Sequence, residues 1–473
     1  MKGRMASKKA ERAKLVLTDW ITANISFVLF NILRCLVQPG VGHNLESVSR
    51  YLSQPKICIE QTFIPMLLLG LYWLSGFYNN PFGKSRFGEL LNTAGVSCIS
   101  TILIHICLLT NDQAADIEEN ILQLLMIFLI FFIGTASGRL LMINKQIRHF
   151  KSRDWRYCTV VVGNSAKARC VAKNLENSKA TMGYCIEGFF SIPGEHDATD
   201  DAWSLDDIEE ICRTKSVDHI ILAPEKSDEE KVLSLVYRLF PLGKPIKLTP
   251  ETMNFMTSSI KLRDIYGQPL VDLTHSSMGE AGVNIKRTID VTTSILTLIV
   301  LSPLYAALAI WVKLDSKGPI FYRQERIGKH QKPFNIIKFR TMRTDAEADG
   351  PQLSEDNDPR VTRAGRVMRK YRLDELPQFY NVLKGNMSIV GPRPERKFYI
   401  NQIMKKAPYY TLLYQTRPGI TSWGMVQYGY ASTVDEMVER SKYDMLYISN
   451  MSILVDMKII LYTIITILEG RGK

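Results

Sequence analysis

Asp374 and Glu375 stand side by side in Arg372-Leu-Asp-Glu-Leu-Pro377, and a Gly391-Pro-Arg-Pro394 turn follows. Beyond residue 284 the chain has no cysteine and a single histidine, His330. Thiol catalysis and a Ser-His-Asp triad are therefore poorly supported. Carboxylates, arginines and lysines remain, an inventory that suits phosphoryl transfer, where catalysis is mostly positioning and charge neutralisation. Two readings of the acid pair are open at this point. Asp374 could cap a helix beginning Glu-Leu-Pro-Gln-Phe, because Asp favours the N-cap and acidic or proline residues favour the first turn. Alternatively, adjacent residues diverge by ~100° on a helix, so two neighbouring acids at its end could serve two ligands.

The cations around the pair are patterned. Arg360, Arg363, Arg366, Arg369 and Arg372 recur every third residue, with Gly365 interrupting the run. Guanidinium groups pair with phosphate in a bidentate manner; a solvated or headgroup-facing stripe is the plainer alternative. Arg360, within Asp-Pro-Arg, and Arg372, beside the acids, are the expected phosphate ligands, and the other three are assigned to the surface. Arg393, fixed between two prolines, could belong to a plain surface turn, but its closeness to the acids favours contact with a nucleotide diphosphate. Lys338 and Arg340 alternate with Ile337, Phe339 and Thr341, the pattern of a strand or extended segment.

These residues need a scaffold, and the rest of the chain supplies one with a membrane character. The 473 residues suggest two or three units, and the net charge of +12 suggests an anionic partner. Nucleic acid is the weakest candidate, since aromatics are not interleaved with the basic run. The eight cysteines all precede residue 213 and form no C-x-x-C pair, so buried apolar roles are expected instead of zinc or disulfides. Four apolar segments, near 15–38, 62–78, 92–110 and 121–143, each approach the ~20 residues that cross a bilayer. The first contains Asp19, Asn24, Asn31 and Arg34, and the third contains His105, which is expected to be packed and neutral. No cleavable signal peptide is visible. The connecting loops alternate between basic and acidic. The positive-inside rule then places the N-terminus and everything after about residue 144 in the cytoplasm.

Residues 1–156 thus read as a four-helix transmembrane region. Residues 157–250 read as a Rossmann-like parallel α/β domain: Tyr157 to Arg169 is a strand, a glycine turn and a helix, and apolar strands recur at 184–190 and 219–224. Its dinucleotide fingerprint is incomplete. Gly163 is present, but Ser165 and Ala168 replace the other glycines, and Glu187 is the sole acidic candidate for a ribose. No bound cofactor is expected, and the domain is assigned a structural or regulatory role. Residues 251–283, with Gly267 and Pro269, read as a linker with room for a short hairpin. The apolar stretch 287–313 is interrupted by Ser302-Pro303 and has basic flanks. An interior proline breaks or kinks a helix, and a helix that enters and leaves on one side satisfies both the proline and the charge rule. The remainder, 284–473, is expected to be mainly helical. It ends in a segment, 452–468, whose Asp456 and Lys458 favour an amphipathic helix lying at the membrane surface.

In order along the chain, Lys338-Phe-Arg-Thr-Met342, the acid pair, Gly391-Pro-Arg-Pro394 and Arg417-Pro-Gly-Ile-Thr421 resemble motifs of the bacterial polyprenyl-phosphate sugar-1-phosphate transferases. These are monotopic-type phosphoglycosyl transferases that start surface-polysaccharide assembly. The resemblance is close over residues 284 to 470. It implies that Asp374 attacks phosphorus to form a covalent phosphosugar–enzyme intermediate and that Glu375 helps hold Mg²⁺. It further implies phosphate contacts from Lys338 and Arg340, a uridine near the Arg417 loop, and a re-entrant helix broken at Ser302 and Pro303. Ser422 stands where members often carry glycine. The implied reaction moves a hexose 1-phosphate from a UDP-hexose to undecaprenyl phosphate and releases UMP. It belongs at the cytoplasmic face of the bacterial inner membrane, towards exopolysaccharide, capsule or O-antigen, and a homodimer is compatible with it. Two other classes stay open. One is a membrane-tethered nucleotide-sugar dehydratase or epimerase, for which Tyr380-x-x-x-Lys384 matches the required pair. The other is a regulator that senses nucleotide sugar through residues 157–250.

Overall fold

The computed structural model describes residues 7–37, 45–82, 84–109, 117–152, 154–177, 183–192, 202–225, 229–249, 271–272, 277–347, 350, 352 and 358–469. Most of the 251–283 linker, including Gly267 and Pro269, and most of the acidic loop at 111–120 lie outside them. The chain forms two compact units: Met1–Tyr157 with Leu175–Cys185 and Glu280–Asn284, and Cys158–Asn174 with Ile186–Gly279 and Ile285–Lys473.

The first unit contains α1 (Lys8–Val37), α2 (Leu45–Leu52), α3 (Pro55–Leu74), α4 (Arg86–Leu109) and α5 (Ile117–Lys151). Among the described residues, α1, α3, α4 and α5 are long and apolar enough to cross a membrane. Phe27, Phe30, Leu68, Ile104 and Phe131 fill the space between them, while Ile25, Phe63, Ile102 and Ile133 face outward. Apolar side chains both inside and outside are what a bundle in lipid requires. The polar residues that interrupt the first segment turn inward. Arg139 donates from Nε to Asp19 Oδ1 at 3.1 Å and from NH2 to Asp19 Oδ2 at 2.7 Å, and its NH1 reaches Thr93 Oγ1 at 3.0 Å. Tyr78 donates its hydroxyl to Asp19 at 2.7 Å, and the guanidinium lies over the rings of Tyr72 and Phe77. His105 is buried within α4.

The second unit begins with β1 (Tyr157–Val162), α6 (Ala166–Asn177), β2 (Tyr184–Phe190), α7 (Ile208–Thr214), β3 (His219–Leu222), α8 (Glu229–Leu239), β4 (Ile246–Leu248) and β5 (Val271–Asp272); Tyr157 of β1, the end of α6 from Leu175 and the start of β2 through Cys185 fall in the other unit. The sheet order is β2-β1-β3-β4-β5. β1 pairs with β3 and β3 with β4 in parallel, and β5 returns antiparallel to β4. Gly163 has φ +123°, and a Cβ there would run into the Ala223 carbonyl, so the turn requires glycine. Ser165 Oγ accepts from the Ala168 amide at 3.3 Å. The serine that interrupts the fingerprint is thus the cap of α6.

α9 (Glu280–Val300) and α10 (Ser302–Asp315) then meet at a 65° bend. Pro303 lies in the first turn of α10, where its missing N–H costs nothing. Past Asn284, the polar residues of α9 are tied to the second unit: Arg287 donates to the carbonyls of Val382 and Leu383, and Asp290 accepts from Ser388 Oγ at 2.7 Å and the Ile389 amide at 3.1 Å. There follow the antiparallel pair β6 (Phe321–Ile327) and β7 (Pro333–Phe339), then α11 (Arg363–Lys370), α12 (Gln378–Lys384), β8 (Ser388–Val390), α13 (Lys397–Lys406), β9 (Gly419–Thr421), α14 (Trp423–Gln427), α15 (Val434–Ser449) and α16 (Ile453–Leu468). Leu308 and Val312 of α10, Phe339 of β7, and Ala364 and Met368 of α11 form one core, against which Leu373 and Leu376 pack. In α16 the acid Asp456 is buried on Lys286 at 2.6 Å, while Leu454, Leu461 and Ile465 stay exposed.

Candidate active site

The two leucines that flank the acids, Leu373 and Leu376, are anchored in that core, so Asp374 and Glu375 are fixed between them on a single 3₁₀ turn, Leu373–Glu375. Tyr305 of α10 donates its hydroxyl to the Leu376 carbonyl at 2.8 Å, holding the turn from below. Arg372 adopts φ +53° and redirects the chain out of α11. The capping reading of Asp374 is not what forms: α12 starts after Pro377, with no side-chain cap. The proline ends the 3₁₀ turn before the helix can reach back to the acids.

Asn381 couples α12 to β7 by accepting from the Ile337 amide at 3.0 Å and donating to the Asn335 carbonyl at 2.7 Å. That register brings Lys338 Nζ to Glu375 Oε1 at 2.6 Å. Arg393 NH2 lies 3.8 Å from the same oxygen, and Arg372 NH1 lies 3.7 Å from Oε2. Gly391 lets the loop bearing Arg393 lie flat against β9, since a Cβ would strike the Arg417 carbonyl. Asp444 accepts from the Arg393 amide at 3.4 Å and the Gly424 amide at 2.9 Å.

Lys338, Arg372, Arg393, Asp374 and Glu375 line a cleft of ≈ 350 Å³. Asp374 and Glu375 are each 8% exposed, yet their protonation is pushed in opposite directions. Burial raises the Asp374 carboxyl to about 6; Lys338 opposes this and Glu375 adds to it. Burial also pushes Glu375 up, but Lys338, Arg393 and Arg372 outweigh it and hold the group down at about 2. The Tyr430 phenol is lowered for a similar reason: burial raises it, and Arg393, Lys338 and Arg369 overcome that. The cleft is thus a positive site with one committed carboxylate and one poised carboxylate.

The structure gathers Lys338, Arg372, Arg393, Asp374 and Glu375, and it treats three other expected ligands differently. Arg340 reaches the lining, but its NH groups are held by the carbonyls of Lys317 and Ser316 at 2.6 and 2.7 Å. Arg360 is outside the lining and grips Asp358 through two hydrogen bonds of 2.9 and 2.6 Å. Arg417 is also outside it and donates to the Gly385 carbonyl at 2.9 Å. Conversely, Arg369, assigned to the surface, lines the cleft. Thr362 caps α11 by accepting from the Gly365 amide, so Arg360 precedes the helix, while Arg363 and Arg366 project outward from it. Gly365 does not break the helix; its missing side chain lets α11 approach the Thr341 backbone.

Glu395, Arg326, Arg440 and Tyr430 are further polar residues of the lining. Glu395 accepts from Arg440 at 2.6 Å and Arg326 at 3.2 Å, and Arg393 Nε lies 3.9 Å away, so it braces the arginine array. Tyr430 completes the wall. Glu395 adjoins the Gly-Pro-Arg-Pro turn in sequence, but its bracing role depends on Arg326 and Arg440, and these, like Tyr430, lie too far along the chain for spacing to reveal the contact. Tyr380 is 54% exposed and absent from the cleft.

Among the described residues no three His, Cys, Asp or Glu side chains cluster as a metal cage. Mg²⁺ does not need one, since it is commonly held by one or two carboxylates, waters and substrate phosphates. Two adjacent hard oxygen donors on the floor of a phosphate-sized positive cleft fit that format.

The described family whose model matches residues 281–470 is "Bacterial sugar transferase". A UDP-N-acetylgalactosamine-undecaprenyl-phosphate N-acetylgalactosaminephosphotransferase of Aeromonas hydrophila is 40% identical over 48% of this chain and 52% of its own length. A UDP-glucose:undecaprenyl-phosphate glucose-1-phosphate transferase of Escherichia coli (strain K12) is 31% identical over 64% of this chain and 66% of its own. The chain therefore matches between half and two thirds of the length of these two relatives. An exopolysaccharide production protein PSS of Rhizobium leguminosarum bv. phaseoli is 38% identical over 40% of this chain and 97% of its own length. The chain belongs to the bacterial sugar transferase family.

Proposed function

We propose that the protein is a priming phosphoglycosyl transferase that moves a hexose 1-phosphate from a UDP-hexose to undecaprenyl phosphate and releases UMP. The observation that carries this reading is the buried acid pair on one 3₁₀ turn in an arginine-lined cleft, with Lys338, Arg372 and Arg393 at 2.6, 3.7 and 3.8 Å from Glu375. Lys338, Arg393 and Arg372 hold Glu375 in its charged form. Asp374 is ionised near neutrality but poorly stabilised by its dry surroundings, which is the condition of a reactive carboxylate. In the first step an Asp374 oxygen attacks the sugar-bearing phosphorus. The bond from that phosphorus to the bridging oxygen breaks, and UMP leaves with the electron pair. In the second step an oxygen of the lipid phosphate attacks the same phosphorus and expels the Asp374 carboxylate, leaving the lipid diphosphate sugar. Lys338, Arg369, Arg372 and Arg393 neutralise the charge that develops. Glu375, with Asp374 nearby, would hold Mg²⁺, which supplies further neutralisation of the diphosphate when bound.

In this reading residues 1–156 are the four-helix transmembrane region, 157–250 a Rossmann-like domain with a regulatory or structural role, 251–283 a linker and 284–473 the catalytic domain. The 65° bend at Leu301 and the exposed apolar residues of α9, α10 and α16, such as Ile299, Leu304, Ile310 and Leu461, support a re-entrant pair embedded in one leaflet. The basic loops favour the cytoplasmic face of the inner membrane. The names of the relatives divide between glucose and N-acetylgalactosamine, so a panel of donors is the proper test. Purified protein is incubated with Mg²⁺, undecaprenyl phosphate and UDP-hexoses, and UMP is measured. Release with one donor, abolished by EDTA and by Asp374→Asn, is expected; folded protein that releases no UMP from any donor would refute the reading.

A further inference from the structure

A second cavity, of ≈ 490 Å³, lies between the first turns of α1 and the last turns of α5. Met142, Lys145, Gln146 and His149 reach it from α5, at the spacing of one helix face. Glu11, Lys14 and Thr18 reach it from α1 at a similar spacing. Trp155 forms a wall, stacked on the His149 ring with centroids 4.8 Å apart.

The floor identifies the ligand chemistry. Gln146 is 4% exposed, and its Nε2 has no hydrogen-bond acceptor among the described residues. A buried amide donor left without an acceptor is costly, so this position calls for an acceptor from outside the chain. The flanking charges choose its sign. Glu11, the one acid among the described lining residues, is paired with Lys14 at 2.5 Å, so Lys145 contributes the net positive charge. An acceptor-rich anion satisfies both demands. Leu17 and Met142 extend the lining as apolar surface along the membrane-crossing parts of the same helices, where an acyl chain would lie.

We propose that this cavity binds a phosphate group, carried either by an acidic phospholipid headgroup or by a soluble phosphate ester, with Gln146 and Lys145 as its principal donors. Among the described residues the site shares none with the acid-pair cleft, and it does not depend on the reaction proposed for it.

The test uses the full chain in detergent, with native mass spectrometry to count retained phosphatidylglycerol against phosphatidylcholine, and equilibrium binding of labelled inorganic phosphate. Gln146→Leu should reduce retention of phosphatidylglycerol about tenfold, because a hydrogen bond to a charged group is lost. Lys145→Gln should reduce it about fivefold, since each basic residue near an anionic headgroup contributes a modest increment. Lys145 is exposed, so its replacement decides the matter if Gln146→Leu does not fold. Loss of phosphatidylglycerol retention in the variants supports the lipid source. Loss of inorganic phosphate binding with lipid retention unchanged supports the soluble ester. Folded variants that hold both probes as the wild type does, or a wild type that binds neither, would overturn the proposal.

Discussion

In the apolar bundle Asp19 meets Arg139 one to one, whereas in the cleft Asp374 and Glu375 face Lys338, Arg369, Arg372 and Arg393. Both assemblies are buried, but they differ in balance. Asp19 takes two hydrogen bonds from the guanidinium and one from Tyr78, and the guanidinium's remaining reach ends on Thr93 and two aromatic faces. Charge and hydrogen bonds close within the protein, as expected of a pair that fixes helix packing. Among the described lining residues the cations outnumber the acids, which makes the cleft a positive site for phosphates. Burial alone therefore does not mark function; a cluster of charges of one sign lining a cavity does.

Two substitutions of Asp by Asn should separate these roles. Asp374→Asn is expected to lower UMP release about ten-thousandfold, the scale of losing a nucleophile, without lowering thermal stability. Asp19→Asn should do the reverse: it strands Arg139 and costs about 3–5 kcal/mol, measured by unfolding in mixed micelles, while protein that remains folded keeps its turnover. Loss of turnover in folded Asp19→Asn protein would break the comparison.

The arginines sharpen it further. Arg369→Ala should raise KM for the UDP-hexose about tenfold, the loss of a charge-assisted hydrogen bond. Arg360→Ala should leave KM within about twofold and instead lower stability by about 1 kcal/mol, because it frees Asp358 from its partner. The smallest effect is on pH. With Asp374 raised to about 6, kcat/KM should fall on the acid side with an apparent pKa near that value. The protonated form is also the one that folding favours. Its stabilising contribution is complete below the ordinary carboxylate pKa and is lost as pH rises through about 6, and Asp374→Asn should remove that dependence.

The same arginines show what the sequence makes legible. A period of three announces a basic face but not its phase, which depends on where the helix begins. Thr362 sets that start by capping α11, so Arg369 turns inward and Arg360, caught by Asp358 two residues before it, does not. Both local partners were visible in the sequence, and weighing them would have exchanged the two assignments. The break at Ser302-Pro303, the strand–glycine–helix at Gly163 and four apolar helices are local properties and were legible. Glu395 bracing Arg326 and Arg440, and Asp19 meeting Arg139 across 120 residues, depend on tertiary packing that no spacing rule encodes. Asp19 therefore read as an impurity of a membrane helix when it is the bundle's polar anchor.

The most direct measurement is a single turnover without the lipid acceptor. Enzyme in excess is mixed with the competent UDP-hexose and Mg²⁺, UMP is quantified, and the peptide containing Asp374 is weighed by mass spectrometry. A burst approaching one UMP per active chain is expected, with a hexose-phosphate adduct on Asp374 that disappears when undecaprenyl phosphate is added. UMP release that strictly requires undecaprenyl phosphate, with no adduct under any condition, would contradict it.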